Sequence, residues 1–192
     1  MSVHAKSPKT GLDILTIVDE ALLLMHEIGI DALSTRRLAD HLGVKGPALY
    51  WHFRNKEALL AHMCERLFEV SLDRAEGGDW QSWLRSSCLE LRATLSGITD
   101  GARLLASAEW TNAAKTDLIA RIERPLIESG MDRETAMWMV SVVNSFTLGW
   151  TTSESKADHR SFMASQFDID AAFVRGLDAL LRGLATTLQL GG

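Results

Sequence analysis

An all-α fold is what this chain of 192 residues predicts, and three observations predict it. Apolar residues recur at helical spacing along nearly the whole length, no segment shows strand-length alternation, and only three prolines interrupt the pattern. A hydrophobic content of 46% with 7% aromatics suits a globular protein of one large or two small domains.

Taken in order, residues 1–10 (with Lys6, Pro8 and Lys9) read as a basic arm without the apolar stretch of a secretory signal. A first helix is expected from about Gly11 to Ile28, with Leu12, Leu15, Val18, Leu22 and Met25 on one face and Gly29 as its stop. Ser34 is a good N-cap for a second helix carrying Leu38, Ala39 and Leu42. Gly43 follows where a positive φ must stop that helix and turn the chain. Pro47 fits the first turn of a very short third helix, about Pro47 to Trp51, where its missing N–H has no partner to lose. Asn55 caps a fourth helix through Leu59, Leu60, Met63, Leu67 and Val70 toward Ala75. Gly77-Gly78 is the clearest break, and it separates a unit at 11–76 from one at 77–192.

Asp79 caps the next helix, striped by Trp80, Trp83, Leu84, Cys88, Leu91 and Leu95. A short helix is expected at about 101–108, then one from Asn112 to Ser129 that Pro125 should kink. Asp132 caps a long helix reaching about Thr152, and 153–166, without strong periodicity, reads as a loop. The last helix spans about Ile169 to Leu188. Its small residues Ala172, Gly176, Ala179 and Gly183 line one face; Phe173, Leu177, Leu180, Leu184 and Leu188 line the adjacent one. Glycine inside a helix costs about 0.8–1.0 kcal/mol relative to alanine, so two on one seam imply close approach of another helix. Two arrangements fit: the leucine face packs inside the subunit while the small face meets a second copy, or both faces pack within one chain.

Charge is unevenly spread. Between Ala32 and Lys56 there are five cations (Arg36, Arg37, Lys45, Arg54, Lys56) and one anion, Asp40, in a chain whose net charge is −5. A solvated basic helix face would look the same by charge alone; added to the glycine turn and the stubby Pro-led helix, it points to a helix-turn-helix that meets phosphate. No apolar run is long enough for a membrane span. Cys64 and Cys88 are expected as buried thiols in a reducing cytoplasm, a disulfide being the alternative.

These residues carry a resemblance. Thr35, Arg36, Leu42, Gly43, Val44, Leu49, Tyr50, His52, Phe53, Asn55 and Lys56 match the DNA-binding half of the TetR family of bacterial repressors, which runs from a Thr-Arg helix through Leu-Gly-Val to Leu-Tyr-x-His-Phe-x-Asn-Lys. Tyr50-Trp51-His52 brings the match close to the family's tetracycline-responsive branch. Weaker similarity continues through Asp79–Arg85, Asp100–Ala102, Phe146–Gly149 and Phe173–Leu188, so it covers nearly the whole chain.

The resemblance implies a cytoplasmic regulator in which Arg36 reaches a base edge, with Lys45, Gly46, Pro47 and Ala48 at the loop and helix start that face bases. Thr35, Tyr50, Trp51, His52 and Lys56 become phosphate clamps, Trp51 reading equally well as packing against its neighbouring helix. Two copies would grip a palindromic operator at major grooves about 34–36 Å apart. The resemblance further implies an effector pocket in the C-terminal helices, with Trp83, Ser87, Leu91, Leu105, Trp110, Met137, Asn144 and Trp150 as candidate lining. Its metal-binding histidine is replaced by Leu105, its drug-contacting residues fall on Leu72, Ser87 and Leu91, and its magnesium-shell glutamate aligns on Ser153, with Glu154 next. That set cannot hold magnesium, so no metal or cofactor and a small hydrophobic effector are expected. Two rivals are a constitutive DNA-binding protein without an effector and a small helical enzyme. His26, His41, His52 and His62 come without an HExxH, a nucleophile elbow or a phosphate-cradling glycine loop, so no catalytic residue is nominated.

Overall fold

The computed structural model describes residues 13–107 and 112–190, which form ten helices and no strand. α1 (Ile14–Ile28), α2 (Thr35–Leu42), α3 (Gly46–Tyr50) and α4 (Lys56–Arg74) make the N-terminal part. α5 (Trp80–Ser96), α6 (Gly101–Ser107), α7 (Asn112–Glu128), α8 (Arg133–Glu154), α9 (Ala157–Gln166) and α10 (Ile169–Leu190) make the rest. The arm at 1–10 and Trp110 lie outside the described residues.

Most starts are set by side chains that satisfy otherwise orphaned backbone N–H groups. Asp13 accepts from Thr16 N (2.7 Å), Ser34 from Arg37 N (3.2 Å), Asn55 from Ala58 N (2.9 Å), Asp79 from Ser82 N (2.8 Å) and Asp132 from Thr135 N (3.0 Å). The Thr16 N–H holds the Asp13 carboxyl below its ordinary value and the Ser82 N–H does so for Asp79; for Asp132 the Thr135 hydroxyl does most, then its N–H. A carboxyl depressed in the folded state stabilises fully above the ordinary value of 3.8, and that contribution is lost as pH falls through the depressed value. Replacing all three by Asn, an equal cap without a charge, is expected to leave the melting temperature nearly unchanged at neutral pH. It should also flatten the fall in a circular-dichroism melt taken down to about pH 3.

Two clusters form the interior. The first joins α1–α4 to Leu91 and Leu95 of α5 and Leu104 of α6. The second joins Leu84 and Cys88 of α5 to Ile122 and Leu126 of α7, Met139 and Val143 of α8, and Phe173, Leu177, Leu181 and Leu184 of α10. α4 and α5 contribute to both, Leu72 of α4 belonging to the second, so these two helices are walls shared by the N-terminal part and the rest. Cys64 and Cys88 are free and buried, and burial pushes their thiols up to about 12 and about 11, which makes both inert.

Several expectations change. Leu15 is exposed, because the helix that starts after the Asp13 cap turns Ile17, Val18, Ala21, Leu24 and Met25 inward instead. The third helix is Gly46–Tyr50, one residue earlier than expected at each end. α8 runs two residues further, to Glu154. The expected loop at 153–166 is mostly α9; its only buried residue is Met163, so it has no apolar stripe to betray it in the sequence. On α10 it is Leu181, not Leu180, that completes the buried face. Gly176 answers to its own subunit: a Cβ there would lie 2.8 Å from Cζ of Phe146 on α8. Gly183 has open space instead and lines, with Ala179, Leu180 and the exposed Trp138, a shallow apolar groove on the surface.

Candidate nucleic-acid interface

α2 and α3 meet at a tight turn that the chain specifies residue by residue. Gly43 adopts φ 69°, ψ 29°, and its N–H returns to Asp40 O at 3.2 Å, while Val44 N bonds Ala39 O at 3.0 Å. Any residue with a Cβ would be strained there. α3 is only five residues long and buries a single side chain, Leu49; Pro47 sits in its first turn. Phe53, just beyond, is buried against the His62 ring of α4 at 5.6 Å. So short a helix is held by the residues at its ends, and its remaining faces are free.

Those faces carry the predicted contacts. Thr35 and Arg36 of α2 and Gly46 and Tyr50 of α3 line one cleft of about 140 Å³, with Asp40 on its wall. Lys45, Pro47 and Ala48 are exposed beside it. Tyr50 is 58% exposed and Trp51 89%, so the indole does not pack on a neighbouring helix and that alternative is removed. Among the described residues Arg36, Lys45 and Arg54 hold no ion pair, whereas Arg37 donates to Ala32 O (3.1 Å). Lys56 is tied back as well, its Nζ donating to Ile30 O at 3.3 Å. His52 is half-buried against Phe53. Arg36, Lys45, Tyr50 and Trp51 are therefore cations and flat polar-tipped rings with nothing of their own to bind, around a protruding helix.

The platform behind them is braced. His41 of α2 meets Glu20 of α1 at 2.9 Å, and Arg66 of α4 grips Asp19 of α1 through Nε (2.8 Å) and Nη2 (3.3 Å). A second brace comes from the α5–α6 turn, which sequence reasoning did not assign. Thr99 N donates to His26 Nδ1 (3.1 Å), Asp100 Oδ2 accepts from Ile30 N (3.0 Å), and Arg103 bridges to Asp31 (3.0 Å) and Asp100 (3.1 Å). Asp100 has φ 62°, a left-handed conformation that Asp tolerates better than most residues. The Arg103 guanidinium, by hydrogen bond and then by charge, keeps the Asp31 carboxyl below its usual range. The Asp100-Gly101-Ala102 string was visible in the sequence; its partners 70 residues upstream were not.

The candidate pocket residues disperse. Trp83 is half-buried and its Nε1 donates to Ile122 O (3.2 Å); Ser87 is buried and bonds Leu84 O (3.0 Å). Leu91 and Leu105 belong to the N-terminal cluster or its edge, and Met137 and Asn144 are half-buried on α8. Trp150 stands apart from these, in a ring cluster with Phe146 (5.7 Å), Phe167 (6.3 Å) and Phe173 (5.9 Å). Glu154 is 3% exposed and fully engaged: Arg92 reaches both its oxygens (2.9 and 2.7 Å) and Ser96 donates to Oε1 (3.1 Å). Among the described residues no group of three or more His, Cys, Asp or Glu is placed to hold a metal ion.

Residues 17–63 match the family model for bacterial regulatory proteins of the tetR family, and residues 72–167 match that for the tetracyclin repressor-like C-terminal domain. The chain belongs to the TetR family. It is 34% identical to the tetracycline repressor protein class G of Vibrio anguillarum, over 91% of this chain and 94% of that one. The crystal structure of TetR from Acinetobacter baumannii AYE superposes with a TM-score of 0.77 at 31% identity, covering 92% of this chain and 98% of that one. TetR(class A) in complex with 5a,6-anhydrotetracycline and magnesium gives 0.70 at 34% identity, covering 89% and 96%. This TetR-family chain is thus a helix-turn-helix transcriptional regulator that binds DNA and responds to a ligand. Among the described residues no helix is long and apolar enough to cross a membrane.

Proposed function

We propose that two copies of this chain bind a palindromic operator in the cytoplasm through α2 and α3 and leave it when a small hydrophobic effector binds the C-terminal helices. The observation that carries the reading is the unpaired, exposed set of Arg36, Lys45, Tyr50 and Trp51 around a five-residue helix, in a chain that is acidic as a whole. Residues 11–76 read DNA and 77–192 sense and pair; the protein has no chemistry of its own to perform. Arg36 at the α2 start specifies, its fork suiting guanine O6 and N7, while Thr35, Tyr50, Trp51, His52 and Lys56 position through phosphate. Lys45, Gly46, Pro47 and Ala48 present the α3 start to the groove, the last two offering only apolar contact. Ala172, Ala179 and Gly183, with Trp138 beside the last two, form the pairing face; Gly176 serves its own subunit as well.

Selection from random duplex DNA should return an inverted repeat. Arg36→Ala is expected to cost about 1–3 kcal/mol on that site and relax one base pair per half-site; Lys56→Ala should weaken all sequences alike and lower the salt slope by about one. Equal losses by both variants on operator and random DNA, read by fluorescence anisotropy, would contradict this division.

The effector is not a magnesium chelate. Magnesium takes oxygen or water ligands in near-octahedral order. Here Leu105 stands where the family's histidine would, and both Glu154 oxygens are held by Arg92 and Ser96. Tetracycline added with magnesium to the protein–operator complex is expected to leave the anisotropy unchanged; release at micromolar drug would overturn this point.

A further inference from the structure

We infer that Asp40 is a base-reading residue: its carboxylate accepts a hydrogen bond from the exocyclic amino group of a cytosine in each half of the operator. This deepens the regulator reading and rests on it, since it needs α2 and α3 to face the major groove.

Asp40 is the one anion between Ala32 and Lys56, against five cations. α2 carries four charged or ionisable residues, and they divide by face. Arg37 is turned back onto Ala32 O (3.1 Å) and His41 onto Glu20 (2.9 Å). Arg36 and Asp40, one turn apart, are exposed and both line the cleft of about 140 Å³ between α2 and α3. Opposite charges at that spacing can pair. Among the described residues, however, no ion pair joins these two and the Asp40 carboxylate accepts no hydrogen bond. The space in front of it is open, because Gly46 on the α3 side has no side chain and a Cβ built there meets nothing within 4 Å.

A carboxylate on a face that meets phosphate weakens binding to every sequence unless the groove returns the loss. It can only accept hydrogen bonds, and the major groove offers two donors, the cytosine N4 and adenine N6 amino groups. The adenine group lies between two acceptors, its own N7 and the thymine O4, which repel the second carboxylate oxygen. The cytosine group has an acceptor on one side alone, so cytosine is the base that fits. Residues four apart on a helix are offset by about 6 Å along its axis, more than the step of about 3.4 Å between bases. Arg36 and Asp40 therefore address different pairs.

The test selects bound sites from random duplex DNA with the full chain, unaltered and as Asp40→Ala, Asp40→Asn and Arg36→Ala. Each is then measured on single-pair variants of the selected site by fluorescence anisotropy, with helicity read by circular dichroism. The unaltered chain should prefer cytosine at one pair per half-site by about five- to 150-fold. Asp40→Ala should level the four bases at that pair and no other, while binding random duplex more tightly. Asp40→Asn should move the preference there to adenine, whose N6 and N7 suit an amide. A gain by Asp40→Ala that is equal on every sequence overturns the proposal, since the carboxylate is then a plain surface charge. Loss of preference at the pair that Arg36→Ala relaxes overturns it too, because Asp40 then only positions Arg36. An inverted repeat at which neither Asp40 variant changes any preference sinks the proposal and keeps the regulator reading; no inverted repeat at all sinks both.

Discussion

Arg92→Ala is expected to destabilise this protein by about 3–5 kcal/mol, because it strands a carboxylate inside the fold. Arg92 on α5 uses both sides of its guanidinium fork on Glu154 of α8, and Nη2 also meets Asp170 of α10 at 2.6 Å. Its Cζ lies 4.7 Å from the centroid of the Phe173 ring. The Glu154 side chain is 2% exposed, and its next nearest cation, Arg160, is 3.9 Å away and largely solvated. Without Arg92, the Ser96 hydroxyl is the one close donor left to Glu154 among the described residues. The cost is thus mainly that of a buried charge without its partner, not the worth of one ion pair. The check is a double-mutant cycle in urea at fixed protein concentration. Glu154→Leu added to Arg92→Ala should restore much of the loss, since no orphan charge remains. Strictly additive losses would mean that Arg92 acts through packing alone.

Phe173→Ala is expected to cost about 3–5 kcal/mol and lower the melting temperature by about 10 °C or more. Phe173 is fully buried at the start of α10. It stacks on Phe146 of α8 (5.3 Å between centroids), meets Trp150 edge-on (5.9 Å) and carries the Arg92 guanidinium on its face. Removing the ring opens a cavity among side chains from three helices and takes the support from beneath the Arg92 clasp. Phe173→Leu, which refills most of the space, should recover more than half of the loss. The two sites are coupled, so combining Phe173→Ala with Arg92→Ala should cost less than the sum of the separate losses.

Much of the helix-turn-helix could be read from the chain because its determinants are local. Ser34, Gly43, Pro47 and Asn55 each act within four residues through a cap, a positive φ or a missing N–H, and each lies within one residue of its expected place. The same locality explains the caps at Asp79 and Asp132. α9 escaped notice because a helix that buries only Met163 has no apolar period. Leu181 displaced Leu180 because a shift of one position around a helix is decided by what faces it, here the second cluster that α10 shares with α5, α7 and α8. The candidate pocket scattered for a related reason: helical spacing marks a buried face without saying which neighbour covers it, and Leu91 went to the N-terminal core while Trp83 went to α7.

The capped helix starts, the glycine turn between α2 and α3 and the excess of cations around that turn were already determined by residue order, since each depends on neighbours a few places away. Three things waited for the packed chain: the α5–α6 turn braced on Ile30 and Asp31, the Arg92–Glu154–Asp170 clasp, and the cleft between α2 and α3 that Arg36 and Asp40 share. These join residues roughly 60 to 80 places apart, or set helix against helix, and such pairings follow from how ten helices share space and not from any local pattern.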